Sequence, residues 1–319
     1  MTDQVKPTIL QGMVPISLFL WLLAEIAGYM AFSRYWFNAS WNVAVLGAVG
    51  GVLGLRLGIV AVTWLYAYTF ASPAPKLSGW QTVKMIASEY LAFIMTFVLV
   101  IPFERLWMPT DCLLPCRRPI VLVHGFGCSR GVWWRLRRDL EAAGHTVASV
   151  SLTPPYTSIG KLVPQLAALI DQVCTATGAQ QVVLIGHSMG GLVCRSFLAR
   201  YGIAQVEQLI TIASPHRGSE LARIGFGQNA REMEPGSMWL RDLATDRIKI
   251  PFTSIRTSHD NYVMPQDNQR LPDAEDLELA GIGHLALLYS RRTSSLLLTI
   301  MANSNNNRIK NIKSGVQVT

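Results

Sequence analysis

The chain has 319 residues, of which half are hydrophobic and 15% are charged, and its formal net charge is +8. An average soluble domain carries about 25% charged residues, so this composition argues against a soluble protein throughout its length. Five cysteines are too few for a disulfide framework in a chain of this size. Cys112 and Cys116 are near enough in sequence to pair in an oxidising compartment. No Cys/His spacing resembles a zinc site.

The shortage of charge is confined to the first third of the chain. Residues 1–103 contain five basic and three acidic residues, a net charge of +2, which leaves +6 on residues 104–319. That excess suits an anionic membrane surface. A basic surface with no particular partner is also common. Since no nucleic-acid-binding motif is present, nucleic acid is not an expected partner, and the sequence does not indicate protein partners.

Three apolar runs fill the first hundred residues, at positions 14–32, 43–70 and 85–103. A bilayer core of about 30 Å needs about 20 helical residues, so each run is long enough to cross it. We therefore predict an all-α transmembrane segment of about three helices over residues 1–108. A cleaved signal peptide is the alternative for the first run, but the two later runs and the acidic Glu25 disfavour it.

The second run contains two features that predict helix packing. Gly47 and Gly51 are four residues apart, a spacing that lets two helices approach closely in lipid. The alternative is that glycine is simply frequent in membrane helices. Arg56 lies in the middle of the run, and we predict that it pairs with Glu25 or Glu89, because charges inside membranes usually pair. Snorkelling to the membrane surface is the alternative for this arginine.

The basic residues between the runs predict an orientation. Three spans put the chain ends on opposite sides, with Lys6, Lys76 and Lys84 on one side and Arg34 on the other. The positive-inside rule then places the N-terminus in the cytoplasm and the later residues outside, which is the periplasm for a bacterial inner membrane. Arg105 follows the third run and counts against this orientation.

From residue 109 to residue 302 short apolar strands alternate with helical patterns, among them predicted helices over 159–177 and 189–201 and a weaker strand over 277–282. This alternation predicts a mostly parallel sheet flanked by helices, an α/β fold. The segment 181–186 is apolar after Gln181, as expected of a strand buried on both faces. The long segment 217–249 is either an apolar lid over a pocket or a helical excursion packed on the core. The Asn-rich, basic residues 303–319 are predicted to be a disordered tail.

The pentapeptide Gly186-His187-Ser188-Met189-Gly190 fits the pattern G-x-S-x-G. It directly follows the apolar strand and directly precedes a helix, which is the context of a nucleophile elbow. Glycine at 186 and 190 leaves room for neighbouring backbone in a sharp turn. The alternative for Ser188 is a helix-capping residue after a strand. We predict that Ser188 is a nucleophile.

Two further segments accompany this elbow. VHGFG at residues 123–127 resembles the HG-Φ loop of lipases, and ASPHRG at residues 213–218 resembles a TPHxG segment. Residues 115–302 therefore resemble an α/β hydrolase of the bacterial lipase and esterase branch. The resemblance implies an oxyanion hole built from the backbone N–H groups of Phe126 and Met189. His124 is interpreted as a brace of the loop.

A serine nucleophile needs a general base, and the base needs an orienting carboxylate. In the family that this chain resembles, the order along the chain is Ser, Asp or Glu, then His. His284 follows a short strand and precedes the last helix, so it is the predicted base. Asp260 ends a strand and begins a stretch that resembles the lipase pattern D-x-x-V-x-P, so it is the predicted acid. We reject His216 and His259 as the base, and Asp267, Asp273 and Asp276 as the acid.

From these features we expect a membrane-anchored serine hydrolase that cleaves carboxylic esters through an acyl-enzyme intermediate. The expected substrate is a lipid or a small ester, and no metal or organic cofactor is required. An acyltransferase on the same scaffold is one alternative. A transport or scaffold membrane protein with a degenerate hydrolase domain is the other, and the intact Ser188, Asp260 and His284 argue against it.

Overall fold

The computed structural model describes the backbone of residues 12–313 and the side chains of residues 12–303. Its first three helices are long and apolar enough to cross a membrane. They are α1 (Met13–Phe37), α2 (Trp41–Thr69) and α3 (Gly79–Ile94), the last continued by a π-helical turn over Met95–Val100. Helix α3 begins six residues before the predicted start at 85, because Ser78 and Gln81 form a capping box ahead of the apolar run.

Helices α1 and α2 pack closely where two glycines face α1. A Cβ added at Gly47 would lie 2.8 Å from the Ser33 hydroxyl oxygen, and one added at Gly51 would lie 2.8 Å from the Tyr29 ring. The predicted close packing is therefore confirmed at these glycines. Arg56 forms an ion pair with Glu25 of α1, so Glu25 and not Glu89 is its partner.

The rest of the chain forms a six-stranded, wholly parallel sheet in the order β2-β1-β3-β4-β5-β6. The strands are β1 (Ile120–Val123), β2 (Val147–Val150), β3 (Val182–His187), β4 (Val206–Ile212), β5 (Phe252–Arg256) and β6 (Glu275–Glu278). The apolar strands β1 and β3 are fully buried, as parallel strands covered on both faces should be.

Helices cover both faces of this sheet. They are α4 (Glu104–Trp107), α5 (Trp134–Ala142), α6 (Ile159–Thr177), α7 (Met189–Tyr201), α8 (Gln228–Glu232), α9 (Met238–Ala244), α10 (Ala286–Tyr289) and α11 (Arg291–Lys313). Short 3₁₀ turns precede α5 and α8, and a third follows Pro265. The predicted α/β architecture is confirmed, and the chain order reverses between β1 and β3, where open parallel sheets form their sites.

Two segments near the C-terminus differ from the sequence-based expectation. The last strand occupies Glu275–Glu278 and not 277–282, because it pairs with β5 through an exposed, charged edge that has no apolar pattern. Helix α11 runs to Lys313 and so includes residues 303–313, which the sequence assigned to a disordered tail. Leu297 and Met301, in the first half of this helix, are buried against the core, and the helix continues beyond them. Residues 314–319 lie outside the described part of the chain.

The apolar helices and the sheet share one hydrophobic cluster. Val60 of α2, Phe93 of α3 and Ile101 belong to the same buried cluster as Ile120 and Ile210 of the sheet. Because these side chains exclude water together, residues 12–108 pack on the α/β part as a continuation of its core.

Candidate active site

The serine elbow lies between β3 and α7. Ser188 has φ 54° and ψ −128°, a conformation that L-residues rarely adopt, and its N–H donates to the Ile212 carbonyl at 2.8 Å. A Cβ added at Gly190 would collide with the carbonyl of Val123, and one added at Gly186 would lie 2.6 Å from the Gly191 nitrogen. The two glycines of the motif are therefore needed so that the turn can pack against β1 and α7.

The loop after β1 lies directly against the serine. A Cβ added at Gly125 would lie 2.9 Å from the Ser188 Cβ and 3.4 Å from its Oγ. Phe126 follows Gly125 in this loop, and Met189 follows Ser188 at the start of α7. The predicted oxyanion positions thus lie in the two chain segments that adjoin Ser188.

His124 braces this loop. Its Nε2 accepts from the N–H of Leu152 at 2.9 Å, so its Nδ1 carries the proton and donates to the Gly125 carbonyl at 2.9 Å. Burial lowers the pKa of His124 to about 4. A neutral imidazole with both nitrogens engaged supports a structural role for this histidine.

The predicted acid and base are in direct contact. His284 Nδ1 donates to Asp260 Oδ2 at 2.9 Å, and both side chains are buried. The other carboxylate oxygen, Oδ1, accepts from the N–H groups of Tyr262 at 2.7 Å and Val263 at 2.8 Å. These bonds fix the carboxylate, and because Nδ1 of His284 donates to it, the unprotonated nitrogen of the neutral ring is Nε2.

Two aromatic rings enclose the imidazole of His284, and neither was identified from the sequence. The ring centroid of His187 lies 4.6 Å from that of His284, and the Tyr262 centroid lies 5.0 Å away at an interplanar angle of 30°. His187 also contacts the backbone of His284, its Nε2 lying 3.3 Å from the carbonyl oxygen. His187 occupies a variable position of G-x-S-x-G, so the motif gave no signal for it.

The rejected candidates lie in other environments. Asp267 and Asp276 form ion pairs with arginines, and Asp273 is exposed. His216 bonds to Thr211 through Nε2 at 3.1 Å, and His259 accepts from the Gly281 N–H at 3.1 Å. Each of these groups therefore already has another partner or faces solvent.

Within residues 12–303, the Oγ of Ser188 forms no hydrogen bond with the ring of His284. The contact between the two segments is made by His187, the residue before Ser188, whose ring centroid lies 4.6 Å from that of His284. Bonds between nucleophile and base are commonly long in free enzymes and shorten in the substrate complex, so this geometry is compatible with a Ser-His pair.

The segment 217–249 packs beside the serine elbow. It contains a 3₁₀ turn at Glu220–Ile224 and the helices α8 and α9. Asn229 is buried with its Nδ2 3.4 Å from the Met189 sulfur, whereas Phe226 is 76% exposed. The segment thus packs against the start of α7 through Asn229 and exposes the aromatic side chain of Phe226.

The fold and the elbow define the class of the protein. Residues 118–234 match the family model described as the alpha/beta hydrolase fold. This part of the chain is similar to the α/β-hydrolase superfamily, and the six-stranded parallel sheet has its fold.

Curated relatives match part of the chain. A triacylglycerol lipase of Pseudarthrobacter phenanthrenivorans is 36% identical over 157 residues, covering 47% of this chain and 48% of the relative. A triacylglycerol lipase of Burkholderia plantarii is also 36% identical over 157 residues, covering 47% and 43%. The chain thus spans about half the length of these curated relatives.

Solved structures share the fold. The mature form of Bacillus licheniformis lipase BlEst2 superposes with a TM-score of 0.53 at 21% identity, covering 61% of this chain and 96% of that one. Aspergillus fumigatus lipase B superposes with a TM-score of 0.57 at 13% identity, covering 86% and 84%. At these identities the likeness concerns the fold alone.

Proposed function

We propose that the chain is a membrane-anchored serine hydrolase that cleaves carboxylic esters with Ser188, His284 and Asp260. The observation that carries this proposal is the buried Asp260–His284 pair at 2.9 Å, whose imidazole ring lies against the residue before Ser188. A buried carboxylate that orients an imidazole beside a serine on a strained turn is the arrangement that activates a hydroxyl for acyl transfer.

The proposed reaction has two steps, acylation of Ser188 and hydrolysis of the acyl-enzyme. His284 Nε2 takes the proton of Ser188 as Oγ bonds to the ester carbonyl carbon, and the new oxyanion accepts from the N–H groups of Phe126 and Met189. The bond to the alcohol oxygen then breaks, and the alcohol leaves with the proton held by His284. Water attacks the acyl-enzyme in the same way, which releases a carboxylic acid and restores the serine hydroxyl.

A lipid ester is the proposed substrate. The relatives named triacylglycerol lipase support this class. Three rings also follow one another from the oxyanion loop to the surface, with centroids 5.2 Å apart for Phe126 and Tyr156 and 5.5 Å apart for Tyr156 and Phe226. Such a row suits contact with an acyl chain. The exposed Phe226 belongs to the proposed lid at residues 217–249.

Helices α1 to α3 are the proposed anchor in a membrane, which we take to be a bacterial inner membrane. Their outward side chains are apolar, among them Leu20, Leu46, Leu65 and Leu91, each more than half exposed. A patch of this extent on a soluble surface would be costly, whereas lipid covers it favourably. We propose that the residues after α3 face the periplasm, because Lys6, Lys76 and Lys84 fall on the opposite, cytoplasmic side.

The test is covalent labelling of the detergent-solubilised full chain with a fluorophosphonate. Ser188→Ala should abolish labelling and lower ester hydrolysis by about 10⁴-fold or more, since removal of a triad member leaves only binding and oxyanion contributions. Ser196→Ala on α7 is the matched control and should label like the wild type. A wild-type protein that folds but never labels would refute the proposal.

A further inference from the structure

Glu89 reaches from α3 into the loop that carries His284. Its side chain is fully buried, and its two carboxylate oxygens accept from the N–H groups of Leu285 at 3.0 Å and Ala286 at 2.9 Å. These are the two residues directly after His284. Charge-assisted bonds of this kind are about twice as strong as neutral ones, so the carboxylate fixes the backbone beside the base.

The loop is shaped to receive this carboxylate. A Cβ added at Gly283 would lie 2.7 Å from the Glu89 Cδ, so only glycine lets the side chain lie across the residue before His284. Arg56, the arginine that the sequence suggested as a partner, pairs with Glu25 and not with Glu89. Burial of Glu89 is therefore offset by the two N–H groups of the base loop.

Helix α2 holds the same loop from a second point. Asn261 follows Asp260, and its Oδ1 accepts from the His284 N–H at 3.2 Å. Its Nδ2 donates to Thr63 Oγ1 of α2 at 2.8 Å. Thr63 itself donates to the Val60 carbonyl at 2.8 Å, so its lone pair is presented to Asn261. Asn261 thus links α2 to the acid and to the base.

We propose that Glu89 and Thr63 are positioning residues for the Asp260–His284 pair, so that α2 and α3 complete the active site as well as anchor the chain. The inference rests on the proposed ester hydrolysis. Since the base must reach the serine within a fraction of an ångström, a shift of about 1 Å in the His284 loop lowers the rate about 100-fold. Loss of either contact lowers turnover while substrate binding is retained.

The experiment compares Glu89→Gln and Thr63→Val with the wild type, as full-length chains in detergent, on a short p-nitrophenyl ester. Glutamine keeps the size of Glu89 but turns one acceptor into an NH₂ group that faces a backbone N–H. We expect kcat to fall about 10- to 100-fold for Glu89→Gln, as outer-shell partners commonly show, with KM changed less than about twofold. Thr63→Val should lower kcat by a smaller factor, about three- to tenfold.

Each variant has a matched control that lies away from the site. Glu25→Gln removes the other carboxylate of the apolar helices, which pairs with Arg56. Thr69→Val removes a hydroxyl of α2 that bonds only to the Leu65 carbonyl. Both controls should keep the wild-type kcat per folded molecule, even where the melting temperature falls, because neither contacts the acid or base loop.

The outcomes separate this inference from the proposed function. If the wild type neither labels with fluorophosphonate nor hydrolyses esters, the proposed function fails. If the wild type is active and Glu89→Gln has an unchanged kcat, the positioning role fails alone. If Glu89→Gln does not fold, the inference is tested with Thr63→Val instead. A folded Thr63→Val protein with the wild-type kcat then overturns the inference. A fall in kcat equal to that of the matched control also overturns it.

Discussion

The ring of His284 lies tilted against the ring of His187, with centroids 4.6 Å apart at an interplanar angle of 51°. Because His187 immediately precedes Ser188, the predicted base rests on the strand that ends at the predicted nucleophile. His187 is buried, and burial holds the pKa of its imidazole well below the usual range. A neutral ring can lie against an imidazolium without repelling it, so the contact tolerates the charge that His284 would gain during catalysis.

Asp260→Asn should lower kcat by about 10⁴-fold while the protein remains folded. The asparagine carbonyl can still accept from the N–H groups of Tyr262 and Val263, so the loop keeps its shape. Its NH₂ group would then face His284 Nδ1 and force the tautomer that carries its proton on Nε2, which cannot take a proton from serine. Steady-state kinetics and circular dichroism together measure this effect.

Asp267→Asn is the control for that change. Asp267 lies in the same stretch of chain but forms an ion pair with Arg270 at 2.8 Å, with both side chains nearly half exposed. Exposed pairs contribute little, so we expect an unchanged kcat and a small change in melting temperature. Equal losses of kcat in the two variants would contradict the role of Asp260 as the orienting acid.

The sequence predicted those parts of the fold that follow from local pattern. Helices α6 and α7 begin and end at the predicted residues, since each has clear apolar periodicity and a turn at its end. Strand β6 was misplaced because its exposed residues lack that pattern. The end of the C-terminal helix was missed for the same reason, because its polar residues have no apolar pattern of their own and continue a helix that begins with apolar residues.

The site was predictable where a motif joins residues near in sequence. Ser188 and Gly190 belong to one pentapeptide, and Asp260 begins a recognisable stretch. Glu89 had no such signal, because its partners at Leu285 and Ala286 lie about two hundred residues away and are backbone groups. Its charge in an apolar run indicated only that a partner was required, and Arg56 was the candidate visible in the sequence.

Gly190→Ala should destabilise the serine elbow and abolish labelling of Ser188. A Cβ at this position collides with the carbonyl of Val123 in β1, which is backbone and has little room to move. Overpacking a well-packed site typically costs about 1–3 kcal/mol, and here it would also displace the strained turn. Thermal unfolding and fluorophosphonate labelling measure the two effects.

Gly160→Ala in α6 is the matched control for that substitution. A Cβ added there would meet only the Ser158 hydroxyl oxygen at 3.7 Å, which is ordinary contact. Alanine is the better helix former by about 1 kcal/mol, so this variant should melt at the same or a higher temperature and label normally. Normal labelling of Gly190→Ala would show that β1 can yield and that the glycine is not required.

Stability should fall with acidity because of the buried, neutral His124. Its folded pKa of about 4 lies below the ordinary 6.5, so the unfolded chain binds a proton more readily between these values. The stabilisation is complete above pH 6.5 and is lost as the pH falls through 4, by about 3 kcal/mol for this group. His187 and His216, whose pKa values burial also lowers, add to the fall. Melting temperatures between pH 7.5 and 4.5 measure it.

His124→Gln separates this histidine from the other titrating groups. Glutamine can donate to the Gly125 carbonyl and accept from the Leu152 N–H, but it does not titrate, so the melting temperature should depend less steeply on pH. His145→Gln is the control, because His145 is partly exposed and its pKa is lowered less by burial. A pH dependence that is the same in His124→Gln as in the wild type would mean that His124 binds its proton as readily in the folded protein as in the unfolded chain, and its role as a neutral brace of the oxyanion loop would have to be abandoned.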